Sequence, residues 1–365
     1  MKATLEKLEA FINSYLSFAV EGISLPIALW IIGTHFFKQF DAFPYVVIMS
    51  NTKRAGKTRL SEVMGFASRR TMNFSAMTPS TLFRCINPVH KWQEQDFIEP
   101  TVIFDEAESL SNEGASTMRS VLNSGYRKGQ TIPRTVGRDV IEFKVYCPKI
   151  FILIGDVYDT LRDRSIVIEM KRGEPSKRFL YDDAKSEGEV LAVEIQANAK
   201  LDLLDAIDER YTNDRAQYLN DRDEEIWQPL FAICKVVAPE RVRQLQRLAV
   251  DLCAMKTADK RSHTTLDMFE EQSQSMEYGE KALIDLLAVM NGEKHIFGDE
   301  AVTRLRELDL SPWRTFRGNG LQQINLADLL TGFGVHPVNL RKGQIVKRGY
   351  RKLDVEQAVK ELKGK

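Results

Sequence analysis

The stretch VVIMSNTKRAGKTRL, residues 46–60, contains the residue types that bind the phosphates of a nucleotide. In the spacing of a phosphate-binding loop, Gly56 lets the backbone approach the phosphates, Lys57 reaches the β- and γ-phosphates, and Thr58 binds Mg²⁺. Asn51 replaces the first glycine of such loops, and asparagine tolerates a positive φ better than most residues. The other residues expected to contact the nucleotide are Thr52, Lys53, Arg54, Ala55 and Arg59. The alternative is a chance Gly-Lys-Thr in a surface turn.

An acidic pair, Asp105 and Glu106, ends the apolar run TVIFDE. Two carboxylates at the end of a buried strand are costly unless they meet a cation. The pattern predicts that Asp105 holds Mg²⁺ through its water shell, while Glu106 orients an attacking water. The alternative is an acidic strand end that faces solvent.

A polar segment, GDVYDTLRDRSIVIEM, follows the next apolar run and supplies candidates for sensing the γ-phosphate. Asp156 stands where a strand ends and is the candidate sensor. Arg162 and Arg164 are candidates for an arginine that enters the site of a neighbouring subunit, where a guanidinium can neutralise developing negative charge. For each arginine, a structural salt bridge with Asp159 or Asp163 is the alternative.

Two basic segments are candidates for contact with nucleic acid. NSGYRKGQTIPRTVGRD carries its cations around glycines, and such a turn could follow a phosphate backbone in a channel; the alternative is a solvated hairpin. The C-terminal stretch 341–365 has nine basic and three acidic residues, and the alternatives there are a solvated tail or a protein-docking face. The candidate DNA-binding residues are Arg127, Lys128, Arg134, Arg138, Lys347, Arg348, Tyr350 and Arg351.

The apolar pattern indicates which elements position these residues. Short apolar runs alternate with helical spacing from about residue 40 to 172, which predicts an α/β fold with a doubly wound parallel sheet. The expected domains are an N-terminal helical region at 1–39, the core at 40–175, an all-helical domain at 176–295 and a winged-helix-like basic domain at 296–365.

The totals exclude several classes of protein. The 51 basic and 51 acidic residues cancel, so any site for a polyanion must be a local patch. The four cysteines and five histidines show no metal-ligand spacing, which argues against a transition metal. The most apolar segment, ISLPIALWIIGTHFF, is too short to span a bilayer, so we expect a cytoplasmic protein without a membrane partner.

Several strings resemble one known family. The runs PYVVIMSNTKRAGKTRLSEV, TPSTLFR, TVIFDEAE, VLNSGYRKG and DTLRDRSIVIEMKR are similar to the ATPase half of replication proteins from phages, plasmids and other mobile elements, described as primase-helicases. EEIWQPLFAIC, LSPW and LLTGFGVHPVNLR resemble the family's C-terminal domain of unknown function. The resemblance spans roughly residues 25–360, and this family tolerates a residue other than glycine at the position of Asn51.

The resemblance implies a P-loop core similar to AAA+ and MCM-like ATPases, which are typically hexameric rings that use ATP and Mg²⁺ at subunit interfaces. It implies a helicase of a mobile element acting on single-stranded or forked DNA. The N-terminal region lacks the acidic constellation of a primase, so we expect any primase to be a separate partner. Two alternatives stay open: an ATPase switch or loader that remodels protein–DNA complexes without unwinding, and a DNA-binding regulator that binds nucleotide only structurally.

Overall fold

The chain forms two compact units, Met1–Leu248 and Ala249–Lys365. The division falls inside one helix, well before residue 296, where the sequence predicts that the last domain begins. The computed structural model describes residues 1–50, 55–75, 78–87, 98–105, 116–136, 139–154, 159–216, 218–256, 278–316, 319–343 and 345–363.

The first unit combines helices with a central sheet. Its strands are β1 (Tyr45–Ser50), β2 (Thr71–Phe74), β3 (Thr101–Phe104), β4 (Thr131–Val136), β5 (Asp139–Lys144), β6 (Lys149–Ile154) and β7 (Ser165–Glu169). Its helices are α1 (Lys2–Tyr15), α2 (Ser24–Thr34), α3 (Lys57–Ala67), α4 (Pro79–Ile86), α5 (Ser116–Ser124), α6 (Asp159–Arg162), α7 (Tyr181–Asn198), α8 (Leu201–Asn213), α9 (Asp221–Val237) and α10 (Val242–Lys256), which contains the division. Short 3₁₀ turns lie at Phe37–Gln39 and Pro239–Arg241.

Five strands form the central sheet in the order β2-β3-β6-β1-β7, and all of its neighbouring strands run parallel. All six residues of β1 are buried, as are the first five of β6. Helices cover both faces of a parallel sheet, so its strands are continuous apolar runs rather than alternating ones. The expectation of an α/β fold with a parallel sheet is therefore confirmed.

The carboxyl ends of three strands meet at one edge of this sheet. Ser50 at the end of β1 is in register with Ile154 at the end of β6. Phe104, at the end of β3, is paired with Phe151 of β6. In open parallel sheets ligands bind outside this edge. The residues that follow β1 and β3 are therefore positioned to share a site.

A separate antiparallel hairpin, β4–β5, lies in the chain between β3 and β6 and forms its own two-stranded sheet. The register of the two strands runs from the Thr131–Lys144 pair to the Val136–Asp139 pair. Most of its described side chains are exposed, including Val140 at 70%. The sequence predicted a turn here, and the structure adds the two strands that carry it.

The helical part of the first unit packs onto the core through α7. Gly188 of α7 lies so close to Phe66 of α3 that a Cβ on the glycine would be 2.4 Å from the Phe66 Cβ. The close crossing of α7 and α3 requires a glycine at this position, which fixes how the two helices meet.

Helix α9 begins at a capping residue, because the side-chain oxygen of Asn220 accepts a hydrogen bond of 2.7 Å from the amide of Asp223.

The second unit has a small sheet and helices of its own. Its strands are β8 (His295–Phe297), β9 (Val338–Lys342) and β10 (Ile345–Arg351), in the order β8-β10-β9, and both pairings are antiparallel. Its helices are α11 (Gly298–Glu307), α12 (Gln323–Thr331) and α13 (Lys352–Lys363), with helical residues at 278–289 and a 3₁₀ turn at Pro312–Arg314. Trp313, Leu326 and Tyr350 belong to its buried core.

Two predicted absences can be compared with the described part of the chain. Among the helices described, none combines the length and apolarity needed to cross a bilayer, and the apolar α2 is an 11-residue helix with every residue buried. Within the same residues, no group of three or more His, Cys, Asp or Glu side chains could hold a metal ion.

Candidate nucleotide site

The loop between β1 and α3 places Lys57 and Thr58 at the start of a helix. Gly56 has a φ of +88°, a left-handed conformation that favours glycine, and it directly precedes α3. The first backbone N–H groups of a helix have no partner within it and carry a partial positive charge, which attracts anions. Gly56, Lys57, Thr58 and Arg59 line a cavity at this point. The helix start can therefore hold phosphate groups.

Lys57 is almost fully buried and is held against the end of β1. Lys57 is 8% exposed, and its Nζ donates a hydrogen bond of 2.6 Å to the hydroxyl oxygen of Ser50. Ser50 is the last residue of β1 and is itself fully buried. The lysine that the sequence predicts as a phosphate ligand thus borders the cavity from the strand side.

Asp105 reaches the same cavity from β3. Its amide donates a hydrogen bond of 2.8 Å to the carbonyl of Phe74, which fixes the chain as it leaves the strand. The cavity has a volume of about 590 Å³ and is lined by Asp105 together with Lys57 and Thr58. The structure therefore brings together the two motifs that stand 47 positions apart in the sequence. Their hydroxyl and carboxylate oxygens are the ligands that Mg²⁺ prefers.

Glu62 is a cavity residue that the sequence analysis missed. It lies one helical turn after Thr58 on α3, and its side chain is half-buried beside the cavity. Burial raises the pKa of its carboxyl group, and Asp105 raises it further by repulsion, whereas Arg59 lowers it. The i, i+4 spacing from Thr58 is the signal that could have identified this residue.

Two segments outside the motifs also line the cavity and contribute most of its apolar side chains outside β6. One is the end of α1, with Tyr15, Leu16 and Ser17. The other is residues 170–179, named here the connector, which joins β7 to α7 and contributes Met170, Lys171, Gly173, Pro175 and Phe179. The sequence analysis gave neither segment a role at the site. No motif spacing relates them to the loop, since only tertiary packing brings them together.

Several predicted ligands lie outside the described residues. These are Asn51, Thr52, Lys53 and Arg54 of the loop, Glu106 of the acidic pair, and the sensor candidate Asp156. Their predicted roles remain predictions. Ala55, the remaining loop residue, is described and lines the cavity.

The two arginine candidates are described, and neither lines the cavity of their own chain. Arg162 ends α6 and is 5% exposed. Arg164 donates from Nε to the carbonyl of Asn123 at 3.3 Å, and its guanidinium carbon lies 5.2 Å from the ring centroid of Tyr126. A role in the site of a neighbouring subunit therefore remains a prediction for both, and Arg164 already has structural partners.

In the basic hairpin segment, Arg127 is engaged by a carboxylate. Arg127 donates from Nε to Glu225 of α9 at 2.6 Å and also lies over the ring of Tyr126. The Lys128 side chain is exposed, while Arg134 lies over the ring of Phe83 at 5.5 Å. Arg138 is outside the described residues. Contact with DNA remains a prediction for this hairpin.

The C-terminal candidates differ from one another. Tyr350 was predicted to contact DNA, but it is 2% exposed and belongs to the core of the second unit, so this prediction is wrong. Lys347 forms an ion pair with Asp299 on α11. Arg348 donates to the carbonyl of Pro337 at 3.3 Å, and both Arg348 and Arg351 are exposed. The available positive charge is smaller than the sequence count indicated.

A family model described as "Protein of unknown function (DUF3631)" matches residues 169–361, more than half of the chain. No curated protein matches.

Two solved structures that the chain is similar to are titled "The X-ray structure of JCV Helicase" and "The X-ray structure of Inhibitor Bound to JCV Helicase". The first match has 11% identity and a TM-score of 0.28, over 57% of this chain and 64% of that chain. The second match has 12% identity and a TM-score of 0.29, over 70% of this chain and 64% of that chain. The chain thus spans less than two thirds of the length of both, and similarity at this level does not bear on function.

Proposed function

The chain belongs to the family described as "Protein of unknown function (DUF3631)", and we propose that it is an ATP hydrolase that drives a DNA helicase or translocase of a mobile element. One observation carries the ATPase part of the proposal. Gly56, Lys57 and Thr58 begin a helix at the carboxyl edge of a parallel sheet, and Asp105 lines the same cavity. A cationic helix start and an acidic strand end in one cavity suit a nucleoside triphosphate with its metal ion.

The described residues have distinct tasks in this function. Lys57 and the N–H groups at the start of α3 bind and orient the phosphates, and their positive charge stabilises charge that develops on the γ-phosphoryl group. Thr58 and Asp105 would hold Mg²⁺, and their oxygen atoms fit this ion. When bound, the metal neutralises phosphate charge. Glu106 is proposed to orient the water that attacks the γ-phosphorus while ADP departs.

Assembly and DNA contact form the second part of the proposal. Arg162 or Arg164 acts on the site of a neighbouring subunit in a ring, which we propose to be a hexamer. The β4–β5 hairpin with Lys128 and Arg134, and the second unit as a winged-helix-like module with Arg348 and Arg351, are proposed to contact single-stranded or forked DNA. A separate primase would be the replication partner.

A second candidate is an ATPase switch or loader that remodels a protein–DNA complex without unwinding it. The charges of the hairpin favour this candidate. The described strands β4 and β5 carry two basic residues, Arg134 and Lys144, and two acidic residues, Asp139 and Glu142. The charges of the two strands balance, and Arg138 between them gives the hairpin an excess of one cation, whereas a hairpin that follows a phosphate backbone needs a larger excess.

Two measurements test these proposals. Lys57→Ala should abolish ATP hydrolysis while circular dichroism shows an intact fold, and the control Lys185→Ala, at an exposed position of α7, should leave hydrolysis unchanged. Undiminished hydrolysis by Lys57→Ala would contradict the ATPase assignment. A strand-displacement assay on forked DNA then separates the candidates, because a switch hydrolyses ATP without releasing a strand.

A further inference from the structure

We propose that the base and ribose of the bound nucleotide lie against the apolar lining of the cavity, in a niche formed by Tyr15, Leu16, Met170, Pro175 and Phe179. This niche recognises a nucleoside, whereas the loop recognises phosphate. The inference rests on the proposed ATPase function, because it assigns the other half of the same ligand. It gives α1 and the connector a part in nucleotide binding.

The niche begins in direct contact with the phosphate loop. A Cβ built on Gly56 would lie 3.5 Å from the Met170 Cε and 3.9 Å from the Leu16 Cδ2, which are ordinary van der Waals distances. Met170 and Leu16 are 3% and 5% exposed. A nucleotide whose phosphates lie at Gly56 therefore meets apolar side chains as it extends away from the loop.

The walls of the niche are held in place by backbone contacts. The amide of Met170 donates a hydrogen bond of 2.7 Å to the carbonyl of Met49 in β1, which anchors the start of the connector. Further along, the amide of Lys177 donates 2.9 Å to the carbonyl of Ser14 in α1. Between these anchors Gly173 approaches Ser17 so closely that a Cβ would be 2.6 Å from the serine hydroxyl. Such preorganised walls lower the ordering cost of binding.

Phe179 supplies an aromatic surface suited to a flat base. Its ring and that of Tyr15 form an edge-to-face pair, with centroids 5.6 Å apart and planes at 82°. The guanidinium carbon of Arg59, in the first turn of α3, lies 5.2 Å from its centroid. These contacts fix the ring on the helix that binds the phosphates. Stacking on an aromatic side chain stabilises a bound base without reading its identity.

The size and chemistry of the cavity also suit a complete nucleotide. Its volume of about 590 Å³ lies within the range of about 300–1,000 Å³ for small-molecule sites. Its lining combines the cation and oxygen ligands of Lys57, Thr58 and Asp105 with the side chains of the niche. An inorganic polyphosphate would use only the first group of residues.

The test compares ATP with inorganic tripolyphosphate, each with Mg²⁺, by isothermal titration calorimetry on the full chain. We expect Phe179→Ala to weaken ATP binding about tenfold and to leave tripolyphosphate binding within about twofold of the wild type. Met170→Ala, at the loop end of the niche, should act in the same direction. The control is Tyr181→Ala, because the ring of Tyr181 packs on that of Phe66, with centroids 5.3 Å apart, and does not line the cavity. Thermal unfolding of each variant verifies that it is folded.

The outcomes separate this inference from the ATPase proposal. If folded Phe179→Ala and Met170→Ala variants bind ATP as the wild type does, or lose ATP and tripolyphosphate equally, the niche does not hold the nucleoside. Equal affinity of the wild type for ATP and tripolyphosphate also overturns the inference but leaves the phosphate site intact. If the wild type binds neither ligand, the ATPase proposal itself is overturned, and the niche with it.

Discussion

The Nζ of Lys57 donates a hydrogen bond of 2.6 Å to the Oγ of Ser50, which links the first residue of α3 to the last residue of β1. Both side chains are buried, so this contact orients a charged group where water is largely excluded. The ammonium group can donate further hydrogen bonds, because it has three donor hydrogens. We therefore expect Ser50 to position the lysine of the proposed phosphate loop.

Replacing Ser50 by alanine removes this acceptor and should lower the free energy of unfolding by about 1.5–3 kcal/mol, the range for hydrogen bonds to charged groups. ATP binding should also weaken, because Lys57 is no longer held in one orientation. The control is Ser61→Ala, which removes a neutral bond of 2.8 Å to the carbonyl of Thr58 on the same helix. Urea unfolding and calorimetry measure both quantities. Equal effects of the two variants on both would contradict the positioning role.

Glu62 brings a second negative charge to the cavity beside Asp105. Without a metal ion, this charge opposes the binding of phosphate, so Glu62→Gln should bind ATP several-fold more tightly in the presence of a chelator. With Mg²⁺ the advantage should shrink, because the metal ion loses a nearby carboxylate. Calorimetric titrations with and without Mg²⁺ check this, and Glu189→Gln, at an exposed position of α7, is the control. Weaker binding by Glu62→Gln in the chelator would refute the electrostatic explanation.

The meeting of Lys57, Thr58 and Asp105 at one cavity could be predicted from the sequence because it depends on local rules. Apolar runs identify buried strands, and the carboxyl ends of parallel strands share an edge. Lys57 and Asp105 each follow such a run, so their meeting at one cavity follows from the fold class. Tyr15 and Phe179 are different, since they are 164 positions apart and meet only because the connector folds back on α1.

The second unit shows why the number of basic residues in the sequence does not predict a DNA-binding surface. Lys342 and Lys347 on the hairpin β9–β10 form ion pairs with Glu293 and Asp299, which lie 49 and 48 positions earlier in the chain. No local pattern indicates these partners. Tyr350 was placed among the basic residues by its neighbours in sequence, but its strand turns it into the core, where it pairs with Ile296 of β8. Side-chain direction along a strand alternates, so adjacent residues have opposite environments.

The crossing of α3 and α7 depends on Gly188. A methyl group there would lie 2.4 Å from the Cβ of Phe66 and 3.1 Å from its backbone carbonyl carbon, so the helices must separate. We expect Gly188→Ala to lower the free energy of unfolding by about 1–3 kcal/mol, as overpacking does. Gly332→Ala is the matched control, because its φ is −61° and no atom lies within 4 Å of the added carbon. Urea unfolding measures both, and equal stabilities would contradict the close crossing.

His35 should make stability depend on pH. It is buried after the end of α2, where its Nε2 lies 2.9 Å from the carbonyl of Ala67, and burial lowers its pKa from 6.5 to about 4. Between these values the unfolded chain binds a proton that the folded protein excludes, so stability falls as the pH is lowered from about 6.5 towards 4. The loss in the free energy of unfolding that His35 causes approaches about 3 kcal/mol near pH 4. In His35→Gln, which keeps a donor for the carbonyl, urea unfolding between pH 7 and 4 should show a shallower decline. An unchanged pH profile would show that other groups cause the decline.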